Sequence, residues 1–169
     1  MTYNSTDYSK AHYIDAYDDL KRFISYYYQI ALIKQLGIGQ LLEIGIGNKT
    51  LSDYLRRHGL TVTTCDLNDE LEPDVVADIR NLPFEDESFE AVVAFEILEH
   101  LPWDQVPIAL KQLHRVSKGP VIISVPRKSL YFEMVLRFPL IKKIFRRTYL
   151  DFFCRIPFAN FLKCPPYHE

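Results

Sequence analysis

The alternation of strand-like and helix-like segments constrains this sequence more than any other feature. Short apolar or β-branched runs occur at residues 40–44, 60–65, 74–77, 89–95 and 121–125, and helical spacing separates several of them. Such alternation predicts parallel strands that are joined by right-handed crossovers in a doubly wound α/β sheet. Because ligands of these sheets bind beyond the carboxyl ends of the strands, the residues that end strands are the first candidates for a site.

The segments on either side of this core are predicted to be helical. Apolar residues recur at intervals of three and four from about Asp7 to Leu36, and Gly37 ends this N-terminal segment, which occupies residues 1–39. Residues 40–126 form the core, and residues 127–169 are predicted to form a helical lid or tail. With 169 residues, 48% of them hydrophobic, the chain 1–169 is expected to be a single domain.

A glycine-rich turn, Glu-Ile-Gly-Ile-Gly at residues 43–47, follows the first strand. Its two glycines allow the backbone to turn tightly and to approach a ligand closely. The helix that follows, with Asn48 as its predicted N-cap, offers free N–H groups to an anion. A dinucleotide fingerprint requires a third glycine where Thr50 stands, which argues against a nicotinamide oxidoreductase. The alternative is an ordinary strand-to-helix turn that binds no ligand.

The second strand ends on an acidic residue, Asp66, about twenty residues after the glycine turn. A carboxylate at this place can accept hydrogen bonds from the hydroxyl groups of a ribose. The alternative is a turn or capping aspartate, because Asn68 and Asp69 follow it. The glycine turn and Asp66 together favour a site for a nucleoside.

Two further runs make the arrangement recognisable: ADIRNLPF at residues 77–84 and FEILEHL at residues 95–101. Together with LEIGIG at residues 42–47, they closely resemble the S-adenosylmethionine-dependent class I methyltransferases, in particular the methyltransferase type 11 branch. The resemblance covers about half of the chain. It implies a Rossmann-like sheet of about five parallel strands in the order 3-2-1-4-5, with S-adenosylmethionine as the cofactor, S-adenosylhomocysteine as its product and no metal.

The resemblance also implies which residues bind the methionine end of the cofactor. Glu43 would order the loop around the methionine amino group, and Gly45 and Gly47 would pass under the methionyl and ribose parts. Phe95 and Glu96 would close this end of the site. Carboxylates accept hydrogen bonds from amines, so the residue types suit these roles.

On the nucleoside side, the resemblance implies four more residues. Asp66 would hold the ribose hydroxyls, and Leu67 would lie against the adenine. Asp78 would accept a hydrogen bond from the adenine amino group, while the amide of Ile79 would meet a ring nitrogen. Apolar side chains of this kind can enclose a purine on both of its faces.

Glu99 and His100 are the nearest candidates for a general base, because they lie just past the fourth strand. The alternative is a helix-start pair that only orients its loop.

Two features of the sequence depart from the family pattern. Lys49 stands where the family usually has a third glycine, and the sixth and seventh strands of the family are not apparent after Val125, so we expect the sheet to end there.

The predicted function is methyl transfer to a small, apolar or aromatic acceptor; the alternative is a non-catalytic nucleoside-binding or scaffold protein that keeps the fold.

Residues 126–169 carry nine Lys and Arg against three Asp and Glu, so peripheral membrane contact through this basic tail is an alternative to a lid. Association through the open edge of the fifth strand is a second predicted contact. No nucleic acid partner is expected, since an Asn/Asp-Pro-Pro-Tyr run is not found after the fourth strand. The polar residues 1–10 and three cysteines without a CxxC pair favour a cytoplasmic protein.

Overall fold

The core of the protein is a sheet of five parallel strands. They are β1 (Gln40–Ile44), β2 (Thr61–Asp66), β3 (Val75–Val76), β4 (Ala91–Phe95) and β5 (Val121–Ser124). Their spatial order is β3-β2-β1-β4-β5, and each neighbouring pair is parallel. The predicted strand order and Rossmann-like class are therefore confirmed. The computed structural model describes residues 18–126, 131–137 and 149–155.

Helices cover both faces of this sheet, which explains why β4 is apolar along its whole length. The helices are α1 (Leu20–Gln35), α2 (Thr50–Arg57) and α3 (Val106–Val116). On one face, Leu41 of β1 packs in a cluster with residues of α1 and α2. On the other face, Leu42 packs with residues of α3. Neighbouring residues of β1 thus serve two separate cores, as the twofold period of a strand requires.

Three short 3₁₀ turns complete the core, at Asp69–Leu71, Leu98–His100 and Trp103–Gln105. Helix α1 begins at Leu20, where the Asp19 side chain accepts a hydrogen bond of 2.8 Å from the Arg22 N–H. The predicted start of the N-terminal segment near Asp7 lies outside the described residues. Among the described residues, no helix combines the length and the apolar character that a membrane span needs.

The predicted N-cap of α2 is wrong by one residue. The capping position belongs to Lys49, which makes no side-chain capping bond and adopts a left-handed backbone conformation with φ of 65°. The carbonyl oxygen of the Asn48 side chain instead accepts a hydrogen bond of 3.1 Å from the Thr50 N–H. The backbone at the start of α2 is thus left-handed at Lys49. Glycine adopts this conformation without strain, which gives a physical reason for the glycine that the family usually has here.

We expect Lys49→Gly to raise the free energy of unfolding by about 0.5–1 kcal/mol. The substitution relieves the left-handed strain. The gain in unfolded-chain entropy and the loss of a partly exposed ion pair to Glu72, at 3.6 Å, offset part of the effect. Urea unfolding measures the change. Lys49→Ala is the matched control, because it removes the same charge and keeps a Cβ. Equal stabilities of the glycine and alanine variants would contradict the explanation.

Residues 127–169 form a second compact unit, and the prediction that this segment is helical is wrong where it is described. Strands β6 (Tyr131–Arg137) and β7 (Tyr149–Arg155) pair with each other in an antiparallel, two-stranded sheet, with Tyr131 opposite Arg155. Both runs are rich in aromatic and other apolar residues, which fit an extended, pleated backbone as well as a helical spacing. Hydrogen bonding between β6 and β7 selects the extended conformation over the helical one. The remaining residues of the predicted lid lie outside the described residues, and the lid role and the single domain 1–169 stay predictions.

Candidate functional site

The loops that follow β1, β2, β3 and β4 meet at the carboxyl edge of the sheet, where they line two neighbouring pockets that share Gly45. The larger pocket is an open cleft of about 450 Å³. It is lined by Ile44, Gly45, Asp66, Leu67, Ala77, Asp78, Ile79, Arg80, Ile97 and Leu101. Two carboxylates and one guanidinium therefore stand among apolar walls, a setting that suits a flat, mostly apolar group with polar edges.

The smaller pocket, of about 330 Å³, lies on the other side of the glycine turn. It is lined by Arg22, Tyr26, Gln29, Glu43, Gly45, Ile46, Gly47, Leu51 and Phe95. Charges of both signs, from Arg22 and Glu43, are thus brought together beside the loop backbone. Such a pocket suits a group that carries both an ammonium and a carboxylate.

The structure gathers most of the predicted site residues into these pockets. Gly45, Asp66, Leu67, Asp78 and Ile79 line the larger pocket, and Glu43, Gly45, Gly47 and Phe95 line the smaller one. Glu96, Glu99 and His100 are not among the described residues that line either pocket. The roles of all these residues stay predictions.

At Gly45, an added Cβ atom would force the side chain of Ile97 or the turn itself to move. The φ of Gly45 is 78°, in the left-handed region, and a Cβ atom built on it would lie 2.0 Å from Cδ1 and 2.5 Å from Cγ1 of Ile97. Its N–H donates a hydrogen bond of 2.9 Å to the Cys65 carbonyl oxygen of β2. The turn after β1 therefore needs glycine for its backbone conformation and for the close packing of Ile97.

Asp66 ties the loop after β1 to the loop after β2. Its Oδ2 accepts a hydrogen bond of 2.9 Å from the Ile46 N–H, and its Oδ1 accepts one of 2.9 Å from the Asn68 N–H. The alternative role of a turn aspartate is thus real, but each carboxylate oxygen can accept a second hydrogen bond. Asp66 can therefore hold the loops and still present acceptors to a ligand in the larger pocket.

Asp78 is engaged by Arg80, a residue that the sequence analysis did not single out. The Arg80 Nε–H donates to both carboxylate oxygens, at 2.8 and 2.9 Å, and Nη2 donates to Oδ2 as well. The Arg80 side-chain hydrogen bonds hold the pKa of Asp78 below its ordinary value. The sequence signal for this contact was an arginine two residues after an aspartate. Whether the two side chains meet depends on the backbone conformation of the loop.

Comparison with known protein families matches residues 42–123 to the family described as methyltransferase domain. Residues 42–123 therefore match a methyltransferase domain. The match begins within β1 and ends within β5, so it spans all five parallel strands and the loops that form both pockets. A comparison with curated protein sequences finds no match.

Solved structures similar to this methyltransferase domain have the same fold. A protein from Pyrococcus horikoshii aligns with a TM-score of 0.60 and 22% identity, over 69% of this chain and 59% of its own. Magnesium protoporphyrin IX methyltransferase from Synechocystis PCC 6803 was solved with bound S-adenosylmethionine (TM-score 0.52, 17% identity, 64% of this chain and 59% of its own). Its complex with S-adenosylhomocysteine gives a TM-score of 0.54, at 16% identity, over 63% of this chain and 57% of its own. The present chain therefore spans less than three fifths of the length of each of them.

Glu43 of the methyltransferase domain is buried at the end of β1, and its Oε2 has no hydrogen-bond partner among the described residues. Burial raises the pKa of its carboxyl group from an ordinary value of 4.5 to about 8, although a hydrogen bond with the Ser52 side chain opposes the rise. A buried, unpaired oxygen is costly, so a native structure that keeps one needs an explanation. An ammonium group in the smaller pocket would supply the missing donor.

We expect the stability of the ligand-free domain to depend on pH through Glu43. Between about pH 4.5 and 8 the folded state holds a proton that the unfolded chain has released, so this group makes stability fall as pH rises. Glu43→Gln removes the contribution. The free energy of unfolding of the glutamine variant, relative to that of the wild type, should rise across this window by up to about 1.4 kcal/mol per pH unit. Urea titrations at several pH values measure this difference; a difference that does not vary with pH would contradict the assignment.

Strand β4 is followed directly by a strained residue, Glu96, whose φ is 58°. Its N–H donates to the Ser124 carbonyl oxygen at 2.9 Å, and its Oε1 accepts a hydrogen bond of 3.1 Å from the Ser124 hydroxyl of β5. Glu96 is thereby fixed against the neighbouring strand. Glu99 and His100 follow in the 3₁₀ turn with exposed side chains. Although the residue is exposed as a whole, desolvation of its carboxyl group, and then the charge of Glu96, raises the pKa of Glu99.

The contribution of α1 to the smaller pocket was missed by the sequence analysis. Arg22, Tyr26 and Gln29 are spaced by four and three residues, so they form one stripe of the helix. The Tyr26 hydroxyl donates a hydrogen bond of 3.1 Å to the Asn48 Oδ1, which ties α1 to the loop after β1. The spacing was visible in the sequence, but the surface against which α1 packs was not. Among the described residues there is no cluster of three or more His, Cys, Asp or Glu that could hold a metal ion.

Proposed function

We propose that this protein transfers the methyl group of S-adenosylmethionine to a small, apolar or aromatic acceptor. The observation that carries the proposal is the pair of adjoining pockets at the carboxyl edge of the sheet, which share Gly45. One pocket combines apolar walls with Asp66, and the other contains the unpaired buried oxygen of Glu43. The Synechocystis methyltransferase, which has the same fold, binds S-adenosylmethionine and S-adenosylhomocysteine.

The residues present fit the two halves of this cofactor. In the larger pocket, Asp66 would accept from the ribose hydroxyls, while Leu67 and Ile79 would enclose the purine. In the smaller pocket, Glu43 would accept from the methionine ammonium and Arg22 would face the methionine carboxylate. Both charges of the methionine group thus have an opposite charge in the same pocket.

When bound, the cofactor supplies a methyl group that its sulfonium has already activated. The protein therefore has to align an acceptor and exclude water rather than form a covalent intermediate. Phe95 and Tyr26 line the smaller pocket with aromatic surface, which serves that exclusion. For a hydroxyl acceptor we propose Glu99 or His100 as the group that removes the proton, and the raised pKa of Glu99 favours proton uptake there.

An apolar or aromatic acceptor suits the outer surface of α1. The ring of Phe23, which is 54% exposed, packs edge-to-face on Tyr26 with 6.0 Å between the ring centroids. Tyr27, the next residue, is 58% exposed. Aromatic surface therefore continues from the smaller pocket outward, where a flat acceptor could rest.

We further propose that the protein is cytoplasmic and has no nucleic acid partner. Peripheral membrane contact of the basic tail and association through β5 are its proposed contacts.

The proposal is tested by incubating the full chain with methyl-labelled S-adenosylmethionine and a panel of phenols, catechols and aliphatic alcohols. We expect label in at least one aromatic acceptor, together with S-adenosylhomocysteine in equal amount. Cofactor binding without transfer to any acceptor would favour the non-catalytic nucleoside-binding or scaffold alternative, for which the unusual Lys49 in the glycine loop is the specific argument. Failure to bind the cofactor would refute both.

A further inference from the structure

The two halves of helix α1 are held by different kinds of contact. In the second half, Ile33 is fully buried in the apolar cluster that covers one face of β1. In the first half, Leu20 is 77% exposed and Phe23 is 54% exposed. Apolar burial therefore fixes the end of α1 and contributes less at its beginning, although the beginning supplies Arg22 and Tyr26 to the smaller pocket.

Polar contacts hold the first half of α1, and they centre on Asn48 in the loop after β1. The Asn48 Oδ1 accepts hydrogen bonds from the Tyr26 hydroxyl and from the Thr50 N–H, both at 3.1 Å. The Asn48 Nδ2 donates a hydrogen bond of 2.9 Å to Oδ2 of Asp18, which lies just before α1. Asn48 is thus bonded to the residues four before and four after Arg22 in the chain.

We propose that Asn48 is a positioning residue, which holds the first half of α1 against the smaller pocket and so sets the affinity for the methionine part of the cofactor. This inference rests on the proposed function. Asn48 lines neither pocket, so it acts through Arg22 and Tyr26. An amide suits the task because its oxygen accepts from Tyr26 while its nitrogen donates to Asp18. The larger pocket has no lining residue from α1, all of which is described, so the nucleoside end should not depend on Asn48.

Asn48→Asp tests this role, because the aspartate keeps an oxygen for Tyr26 and Thr50 but sets a second carboxylate against Asp18. The full chain is titrated by calorimetry with S-adenosylhomocysteine and, by displacement, with 5′-methylthioadenosine, which has no methionine ammonium or carboxylate. The variant should bind S-adenosylhomocysteine about tenfold more weakly than the wild type and 5′-methylthioadenosine within about twofold of it. The comparison is informative because a merely structural loss would weaken both ligands alike.

The double variant Asn48→Asp/Asp18→Asn is the rescue, because it restores a donor opposite the new carboxylate at the net charge of the wild type. It should bind S-adenosylhomocysteine within about threefold of the wild type. Direct repulsion between the new carboxylate and the ligand would persist in the double variant, so the rescue separates that effect from the position of α1. Tyr26→Phe breaks the other bond of Asn48 without adding charge, and it gives the same comparison if the aspartate variant does not fold.

Asn81→Asp is the matched control, because it makes the same chemical change at an exposed residue that lines neither pocket. It should leave both affinities at their wild-type values. Equal weakening of the two ligands by Asn48→Asp, an unchanged affinity for S-adenosylhomocysteine, or a double variant as weak as the single one would overturn the inference. A wild type that binds neither ligand would instead refute the proposed function, and the inference would fall with it.

Discussion

Replacing Gly45 by alanine should lower the free energy of unfolding by about 2–5 kcal/mol and remove measurable binding of S-adenosylhomocysteine. Two costs combine at this residue. An alanine at φ of 78° is strained, and its Cβ would lie 2.0 Å from Cδ1 of Ile97, so either the turn or Ile97 must move. Because Gly45 lines both pockets, any movement of the turn deforms both halves of the site. Urea unfolding and titration calorimetry measure the two effects.

Gly37→Ala is the matched control for this variant. Gly37 has a similar φ of 64°, but a Cβ built on it would meet no heavy atom within 4 Å. It should therefore show the conformational cost alone, about 1–2 kcal/mol, and leave ligand binding unchanged. The double variant Gly45→Ala/Ile97→Ala should regain part of the stability, because it removes the clash and leaves the strain. Equal destabilisation by Gly45→Ala and Gly37→Ala would show that the packing of Ile97 is unimportant.

Replacing Asp66 by alanine should weaken S-adenosylhomocysteine binding by about 2–4 kcal/mol, which is on the order of 30- to 1000-fold. The variant loses the acceptors for the ribose hydroxyls. It also leaves the N–H groups of Ile46 and Asn68 without their carboxylate, so the loop after β1 is less firmly held. Titration calorimetry gives the change in affinity, and urea unfolding separates the loss of the loop contacts from the loss of ligand contacts.

Asp69→Ala controls for the loss of a negative charge nearby. Asp69 is exposed in the 3₁₀ turn that follows β2, and it lines neither pocket. The control variant should bind S-adenosylhomocysteine with the wild-type affinity. If Asp66→Ala also keeps that affinity, Asp66 is a turn aspartate only, and the nucleoside assignment of the larger pocket fails.

The core of the fold was predictable because parallel strands covered on both faces leave a strong signal. The run Ala91–Phe95 is wholly apolar because helices cover both sides of β4, and the glycines after β1 marked the turn that both pockets share. The tail gave no such signal. The residues of Tyr131–Arg137 fit a helical spacing and a strand equally well, and pairing with Tyr149–Arg155, a contact distant in sequence, determines the outcome.

The details of the site were less predictable, because they depend on backbone conformations that carry no clear sequence signature. Lys49 and Glu96 both adopt left-handed conformations that their residue types disfavour. The position of Arg80 on Asp78 follows from the loop between β3 and β4, and that of Tyr26 follows from the packing of α1. The sequence identified the carboxylates of the site but not the partners that already engage them.

Titration of S-adenosylhomocysteine into the full chain at pH 7, in two buffers of different ionisation enthalpy, tests the central claim most directly. We expect one ligand to bind per chain. Because the pKa of Glu43 is about 8 in the ligand-free protein, pairing with the methionine ammonium should release a proton, and the observed heat should differ between the buffers. In Glu43→Gln the heat should be the same in both. Saturable binding with buffer-dependent heat in the wild type alone is the predicted result; the absence of binding would contradict the account.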